Sequence, residues 1–352
     1  MNIENIEKLA KLRTSSLSSL DNSCIYNIYN NNFLRHPAYK LYQIIDNKLY
    51  VTFDEMFDYE SRLEGNKGHF LDLLKKHRLP DMEFIHYDED SLNTDLPVLV
   101  PGCHASRNQL IVPDFMFKWM PEANLFDHHE EMTRVLEAAE STGKDYETWK
   151  QRKEEVFYRG SLNNPYRGSY GRLDGEIFDL KHVQCHHAPR GLPNYTIGVT
   201  PYACAREEKA NYKYLMHLNG GLDEAISGAF RFALACKSLV FYCTSNPYQE
   251  WWQHDSIFRD GEHYVRVTSP SDLINKVNCY KQIEEESYRI ACNSYEFSKK
   301  FLSRDAMQHY YYTFLREYSK KLNYKVTPHP ESKLVVSHKK RINAETVIEV
   351  QY

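Results

Sequence analysis

Short, almost wholly apolar runs that stop at small or polar residues set the strongest limit on what this chain can form. "MEFIHY" breaks into Asp88-Glu89-Asp90, "LPVLVPG" ends in Pro-Gly, "VFYRGS" ends at Arg159-Gly160-Ser161, and "NYKYLMHLNG" runs into glycine. Helical apolar spacing alternates with them in "GHFLDLLKKHRL" and in "AISGAFRFALACKSLVFYC", where a helix leads into a further strand. Strands in alternation with helices predict an α/β layer architecture. Near the amino terminus "KLYQIIDNKLYVTF" alternates around Asp46-Asn47 and reads as a hairpin instead. "HYVRV" is a last strand of the second half, and the two long segments after it read as helices that start at Ser269, before Pro270, and at Ser303.

A chain of 352 residues, 42% hydrophobic, can fill two cores. The charged helical stretch "HHEEMTRVLEAAESTGKDYETWKQRKEE" is the natural link, giving an amino-terminal domain over 1–150, a carboxy-terminal domain over 151–302 and a peripheral tail over 326–352. Lys and Arg number 44 against 48 Asp and Glu, and no long basic block is present, which argues against nucleic acid as a partner. No run approaches the roughly 18 apolar residues that span a bilayer, so no transmembrane segment is expected. The polar amino terminus lacks the apolar region of a signal peptide, and the eight cysteines are dispersed without a C-x-x-C pair. Free thiols in a cytoplasmic setting are the expectation. Nothing in the sequence bears on oligomeric state. The 27 Tyr and 17 Phe suit both stacking on bases and sugars and an aromatic core.

The chemistry concentrates at strand ends. After "VFY", Arg159, Gly160 and Ser161 form a small donor-rich loop, and Arg167 follows six residues after the serine. Backbone N–H groups, a hydroxyl and guanidinium forks in such a loop suit phosphate oxygens. In "SGAFRFALACKSLVF", Ser227, Phe230 and Arg231 occupy the first turns of a helix, so free backbone donors and a second guanidinium could meet the same anion. Ligands of doubly wound sheets bind outside the carboxyl ends of strands, where such loops converge.

These residues carry a resemblance. "LPDMEF", "VFYRGS", "KYLMHLNG", "SGAFRFALACKSLVFYCTSNPYQEWW" and "HYVRV", in that order over about residues 78–320, resemble glycosyltransferase family 90, the protein O-glucosyltransferase and capsule xylosyltransferase group. The resemblance implies a GT-B fold of two Rossmann-like domains facing a cleft. It also implies an inverting mechanism, a UDP-sugar donor, a glycan or protein acceptor, no cofactor and no required metal. By the same resemblance, the last helix (303–325) crosses back to the first domain. Tyr158, Arg159, Gly160 and Ser161 match the Tyr/Phe-Arg-Gly-Ser motif, Arg167 the phosphate-binding arginine beyond it, and "AFRF" the Ser-Phe-Arg-Phe motif with Arg231 as second diphosphate arginine. Counting from Pro80-Asp81-Met82-Glu83, the catalytic aspartate falls on Asp90, with Asp88 as rival. The sequence departs from the family pattern there, with Tyr87 in place of asparagine and Glu89 in place of arginine, and it inserts "GLDEA" after Gly220.

An inverting transfer needs a base on the acceptor hydroxyl, which Asp90 can supply, and fixed donors on the departing diphosphate. Glu250, beside Trp251 and Trp252, either holds sugar hydroxyls in the donor site or belongs to packing between the last helix and the sheet. Two other readings stay open. Asp88-Glu89-Asp90 has the form of a D-x-D metal site of a GT-A transferase, and the chain could be an inactive carbohydrate- or nucleotide-binding protein. Cys185-His186-His187 with Cys204, and His128-His129-Glu130-Glu131, lack established zinc spacing, so no metal site is expected.

Overall fold

A computed structural model describes residues 3–33, 38–52, 60–89, 92–104, 106, 109–118, 127–162, 165–175, 177–182, 204–220, 226–244, 248–342 and 346–352. The elements follow in chain order: α1 (Ile3–Ser15), α2 (Asn22–Phe33), β1 (Tyr39–Ile45), β2 (Lys48–Thr52), α3 (Glu60–Lys76), β3 (Met82–Tyr87), β4 (Val98–Val100), β5 (Cys103–His104) and β6 (Leu110–Ile111). Then come α4 (His128–Gly143), α5 (Tyr146–Trp149), β7 (Lys153–Gly160), α6 (Pro165–Gly171), β8 (Phe178–His182), β9 (Tyr212–Leu218), α7 (Ala229–Ala235), β10 (Leu239–Cys243), β11 (Tyr248–Gln249) and β12 (Val265–Val267). The chain closes with α8 (Pro270–Gln282), α9 (Glu284–Phe301), α10 (Arg304–Ser319), β13 (Ser332–Val335), β14 (Ser337–Arg341) and β15 (Val347–Gln351). Two units result: Met1–His128 with Gln249–Trp251 and Arg304–Tyr352, and His129–Tyr248 with Trp252–Ser303.

The first unit is built on a six-stranded sheet in the order β13-β2-β1-β3-β4-β6. It departs from the Rossmann-like form expected of both halves. Only β3, β4 and β6 run parallel, while β13, β2, β1 and β3 pair antiparallel. The cause is the hairpin at Asp46-Asn47. Both residues take left-handed backbone, with φ of 51° and 60°, which a tight two-residue turn needs and which Asp and Asn tolerate. The turn is anchored on both sides: Asp46 N–H donates to Asp81 Oδ1 at 2.8 Å, and Leu79 N–H to Asn47 Oδ1 at 3.2 Å. Residues 326–352, expected as a peripheral tail, supply edge strand β13 and the β14–β15 hairpin. In that hairpin His338 packs on α3 at Gly68, where a Cβ would run into its ring.

The second unit is a five-stranded sheet in the order β12-β10-β9-β7-β8, parallel throughout. Counted within the unit the order is 2-1-3-4-5, a doubly wound arrangement whose direction of winding reverses between β7 and β9. The two faces of β9 make the reversal visible, because neighbouring side chains of a strand point to opposite sides. Tyr214, Met216 and Leu218 join Tyr158 and, from α6, Tyr170 in one core. His217 faces the other way and stacks on Phe230 of α7 at 4.5 Å with an interplanar angle of 7°. The chain after β7 and after β9 therefore leaves toward opposite faces, the arrangement that in doubly wound sheets places ligands at the carboxyl ends of the strands. Ser269 caps α8 as expected, accepting from Asp272 N–H at 3.1 Å.

Candidate active site

At that switch point stands Arg167, from α6. Its Nε donates to the Asn219 carbonyl at 2.8 Å and its Nη1 to the Ser161 carbonyl at 3.1 Å. One guanidinium thus bridges the residue that follows β7 to the residue that follows β9, which fixes a positive charge where an α/β sheet receives ligands. The sequence pointed to Arg167 as a phosphate fork. In the structure several of its N–H groups hold backbone carbonyls, so the side chain is locked in place with its charge fixed between the two strand ends. Asn219 carries no sequence signal beyond its position at the end of a strand, and it went unrecognised as the other half of this contact.

Arg159 behaves differently from the expectation. Its Nη2 pairs with Asp179 Oδ2 at 2.8 Å, its Nη1 donates to the Asp179 and Tyr158 carbonyls, and its Cζ lies 4.1 Å from the Phe157 ring centroid. The neighbouring strand β8 supplies a carboxylate that neutralises it, so Arg159 ties β7 to β8. Gly160 is needed for space, since a Cβ there would meet the Tyr158 hydroxyl, which turns toward the Ser161 carbonyl.

Ser227 and Gly228 precede α7, and Gly228 makes no side-chain cap. The helix is seven residues long, too short for the helix-terminus anion site the sequence suggested. What α7 does provide is Phe230, stacked on His217 and on Tyr242 at 4.5 Å, and Arg231, fully buried at 0% exposure. Burial holds the His217 imidazole well below its ordinary pKa, and the positive charges of Lys209 and Arg167 push the same way. The fold therefore favours the neutral ring.

In the first unit, Asp90 lies outside the described residues, as do Cys185, His186 and His187. Asp88 is described and is fully buried. Its Oδ2 accepts from the Tyr42 hydroxyl at 2.9 Å, while Oδ1 accepts from Asn66 Nδ2 at 3.0 Å and lies 2.5 Å from His86 Nδ1. Its own N–H donates to the Ala38 carbonyl. Burial and the Asp88 charge raise the Tyr42 hydroxyl well above its ordinary pKa, so it stays a neutral donor. Both carboxylate oxygens are thereby occupied. Asp88 serves as an internal anchor between β1, α3 and the end of β3, a poor candidate for base or metal ligand, and neighbours this far away in sequence left no local mark.

Glu250 is buried and belongs to the first unit, whereas the arginines above belong to the second. On either side of Glu250, Gln249 accepts from Arg13 at 3.1 Å, and the Trp251 ring lies 4.6 Å from Tyr310 of α10. Of the paired histidines, His128 packs against Phe117 at 4.8 Å, and Glu131 pairs with Arg134. Among the described residues no group of three or more metal-capable side chains comes together.

Comparison with known proteins gives a consistent result. The sequence matches Glycosyl transferase family 90 over residues 15–348. It is 27% identical over 312 residues to an O-glucosyltransferase rumi homolog of Aedes aegypti, covering 81% of this chain and 72% of the relative. Against protein O-glucosyltransferase 1 of Homo sapiens the identity is 25% over 312 residues, covering 81% and 73%. Against O-glucosyltransferase rumi of Drosophila melanogaster it is 26% over 305 residues, covering 82% and 71%.

Proposed function

The chain belongs to glycosyl transferase family 90 and is a glycosyltransferase, and from that premise we propose an inverting, metal-independent enzyme of GT-B type. It moves a sugar, glucose or xylose, from a UDP-sugar to a hydroxyl of a glycan or protein acceptor. The observation that carries this reading is the Arg167 guanidinium held between the ends of β7 and β9, at the switch point of a parallel sheet.

In the proposed reaction the acceptor hydroxyl gives its proton to the Asp90 carboxylate as its oxygen bonds to the anomeric carbon. The bond from that carbon to the diphosphate breaks, and its electron pair leaves on the β-phosphate oxygen. Attack from the side opposite UDP inverts the centre. Charge gathering on the leaving diphosphate is met by groups fixed beforehand, which need no reorganisation as the bond breaks. Arg167, Arg231 and the hydroxyls of Ser161 and Ser227 take that part, and no cofactor is required.

Two further observations support the reading. The relatives named above are O-glucosyltransferases, which favours glucose among the donors. The occupied oxygens of Asp88 weigh against a metal-binding D-x-D pair. A cytoplasmic setting is proposed on the dispersed cysteines, which are free thiols wherever described; no described helix is long and apolar enough to cross a membrane. The test is UDP release from a panel of UDP-sugars, with and without a chelator. Release with UDP-glucose or UDP-xylose in the presence of chelator supports the proposal, and release that depends on added Mn²⁺ or Mg²⁺ overturns its metal-independent form.

A further inference from the structure

We infer that Asn219 is a donor-recognition residue whose side-chain amide donates a hydrogen bond to an oxygen of the UDP-sugar's diphosphate. This rests on the reading that the second unit binds a UDP-sugar. Asn219 directly follows β9 and is only 3% exposed. Its carbonyl is already taken by Arg167 Nε, which fixes the residue's position at the strand end. Its Nδ2, by contrast, is buried and has no hydrogen-bond partner among the described residues.

Buried amide donors without partners are rare in folded proteins, and each one calls for an explanation. A second such atom lies two residues earlier on the same side of the strand: His217 Nε2 is also buried and has no partner among the described residues. Two unmet polar atoms in succession, ending at the switch point and beside a fixed guanidinium, describe one end of a binding site better than a packing fault. The sign of the charge selects the ligand. With Arg167 in contact, the site favours a group rich in negative oxygens, and such a group supplies the acceptor that Nδ2 lacks. A neutral amide is also the side chain that adds a donor here without placing a like charge against Arg167, while the neutral His217 ring avoids the same repulsion.

The experiment compares the wild-type chain with Asn219→Leu and Asn219→Asp. UDP binding is followed by calorimetry with chelator present, uridine binding by ligand-observed NMR, and melting temperature without ligand. Leucine is close in size to asparagine and needs no partner, so the unliganded Asn219→Leu protein melts at or above the wild-type temperature. It binds UDP about tenfold more weakly, equivalent to about 1.4 kcal/mol, and binds uridine as before. Asn219→Asp loses more, because its carboxylate competes with the diphosphate for Arg167. Wild-type UDP affinity in both variants overturns the inference, as does an equal loss of UDP and uridine together with a lower melting temperature, which marks a structural role. Failure of the wild-type protein itself to bind UDP refutes the donor assignment, and this inference with it, before any variant is compared.

Discussion

Replacing Asp88 separates an internal anchor from a catalytic base, and the structure sets the size of each effect. In Asp88→Ala three buried groups, the Tyr42 hydroxyl, Asn66 Nδ2 and His86 Nδ1, lose their acceptor together. Each unsatisfied buried group costs about 1–3 kcal/mol, so the loss is about 4 kcal/mol after partial relaxation. That is a large part of the roughly 5–15 kcal/mol by which a domain is stable. Asp88→Asn is gentler. Its oxygen still accepts from Asn66 and His86, and the Tyr42 hydroxyl can rotate to accept from the new amide, leaving about 1–2 kcal/mol for the lost charge. Urea unfolding reads both changes as lowered midpoints. Sugar transfer, measured where Asp88→Asn is still fully folded, stays within a few-fold of wild type. Removal of a general base would lower it by about 10²–10⁴. If Asp88→Asn unfolds at the wild-type midpoint but has lost transfer by such a factor, Asp88 is the base and the anchor argument is wrong.

The remaining expectations concern the donor side, the acceptor side and pH. Asp90→Asn abolishes transfer and leaves UDP affinity nearly unchanged, since it removes a proton acceptor and no donor contact; full activity would remove Asp90 from the mechanism. Arg231→Ala loses both UDP affinity and rate, read by calorimetry and by initial velocities, and unchanged affinity would refute its assignment. Arg159→Lys keeps UDP affinity within a few-fold while lowering the melting temperature, because the contacts broken are those to Asp179; a large loss of affinity would return Arg159 to the donor site. His338, buried among Lys67, Asp72 and Lys118 and beside Lys340 and Tyr352, is lowered by burial to about 4. A depressed histidine favours the neutral form in the fold, so the stability it contributes is present above pH 6.5 and lost as pH falls toward 4. In His338→Phe the melting temperature should fall less over that window; an unchanged pH dependence would show that the histidine does not titrate there.

How far the sequence reached depends on whether a feature is local. The turn at Asp46-Asn47 was legible because two residues with a tolerance for left-handed backbone stood between alternating runs. The Ser269 cap was legible for the same reason, since donor and acceptor lie three residues apart. Strands β7, β9 and β10 of the second unit stood out as apolar runs because both faces of a parallel sheet are covered, whereas β8, which alternates apolar and charged residues, was not singled out. Edge strand β13 did not, since three of its four residues are exposed or half-buried and leave little apolar pattern. The proposed donor site was legible only as residue types. Arg159 and Arg167 look alike in sequence, and the difference between them is Asp179 on one side and two strand-end carbonyls on the other. Partners 20 or 52 positions away decide which arginine keeps its charge for a ligand. The partners of Asp88 and the contact of Asn219 with Arg167 escaped the sequence by the same rule, because they are assembled across strands and helices.

The account stands or falls on how the second unit meets a diphosphate. Titration calorimetry of UDP into the chelator-treated protein, repeated with Arg167→Ala, tests it most directly. Saturable one-site binding that the chelator leaves unchanged, and that weakens at least tenfold in Arg167→Ala, is the predicted result. Heat that develops only after a divalent cation is added, or equal affinity in the two proteins, would contradict it.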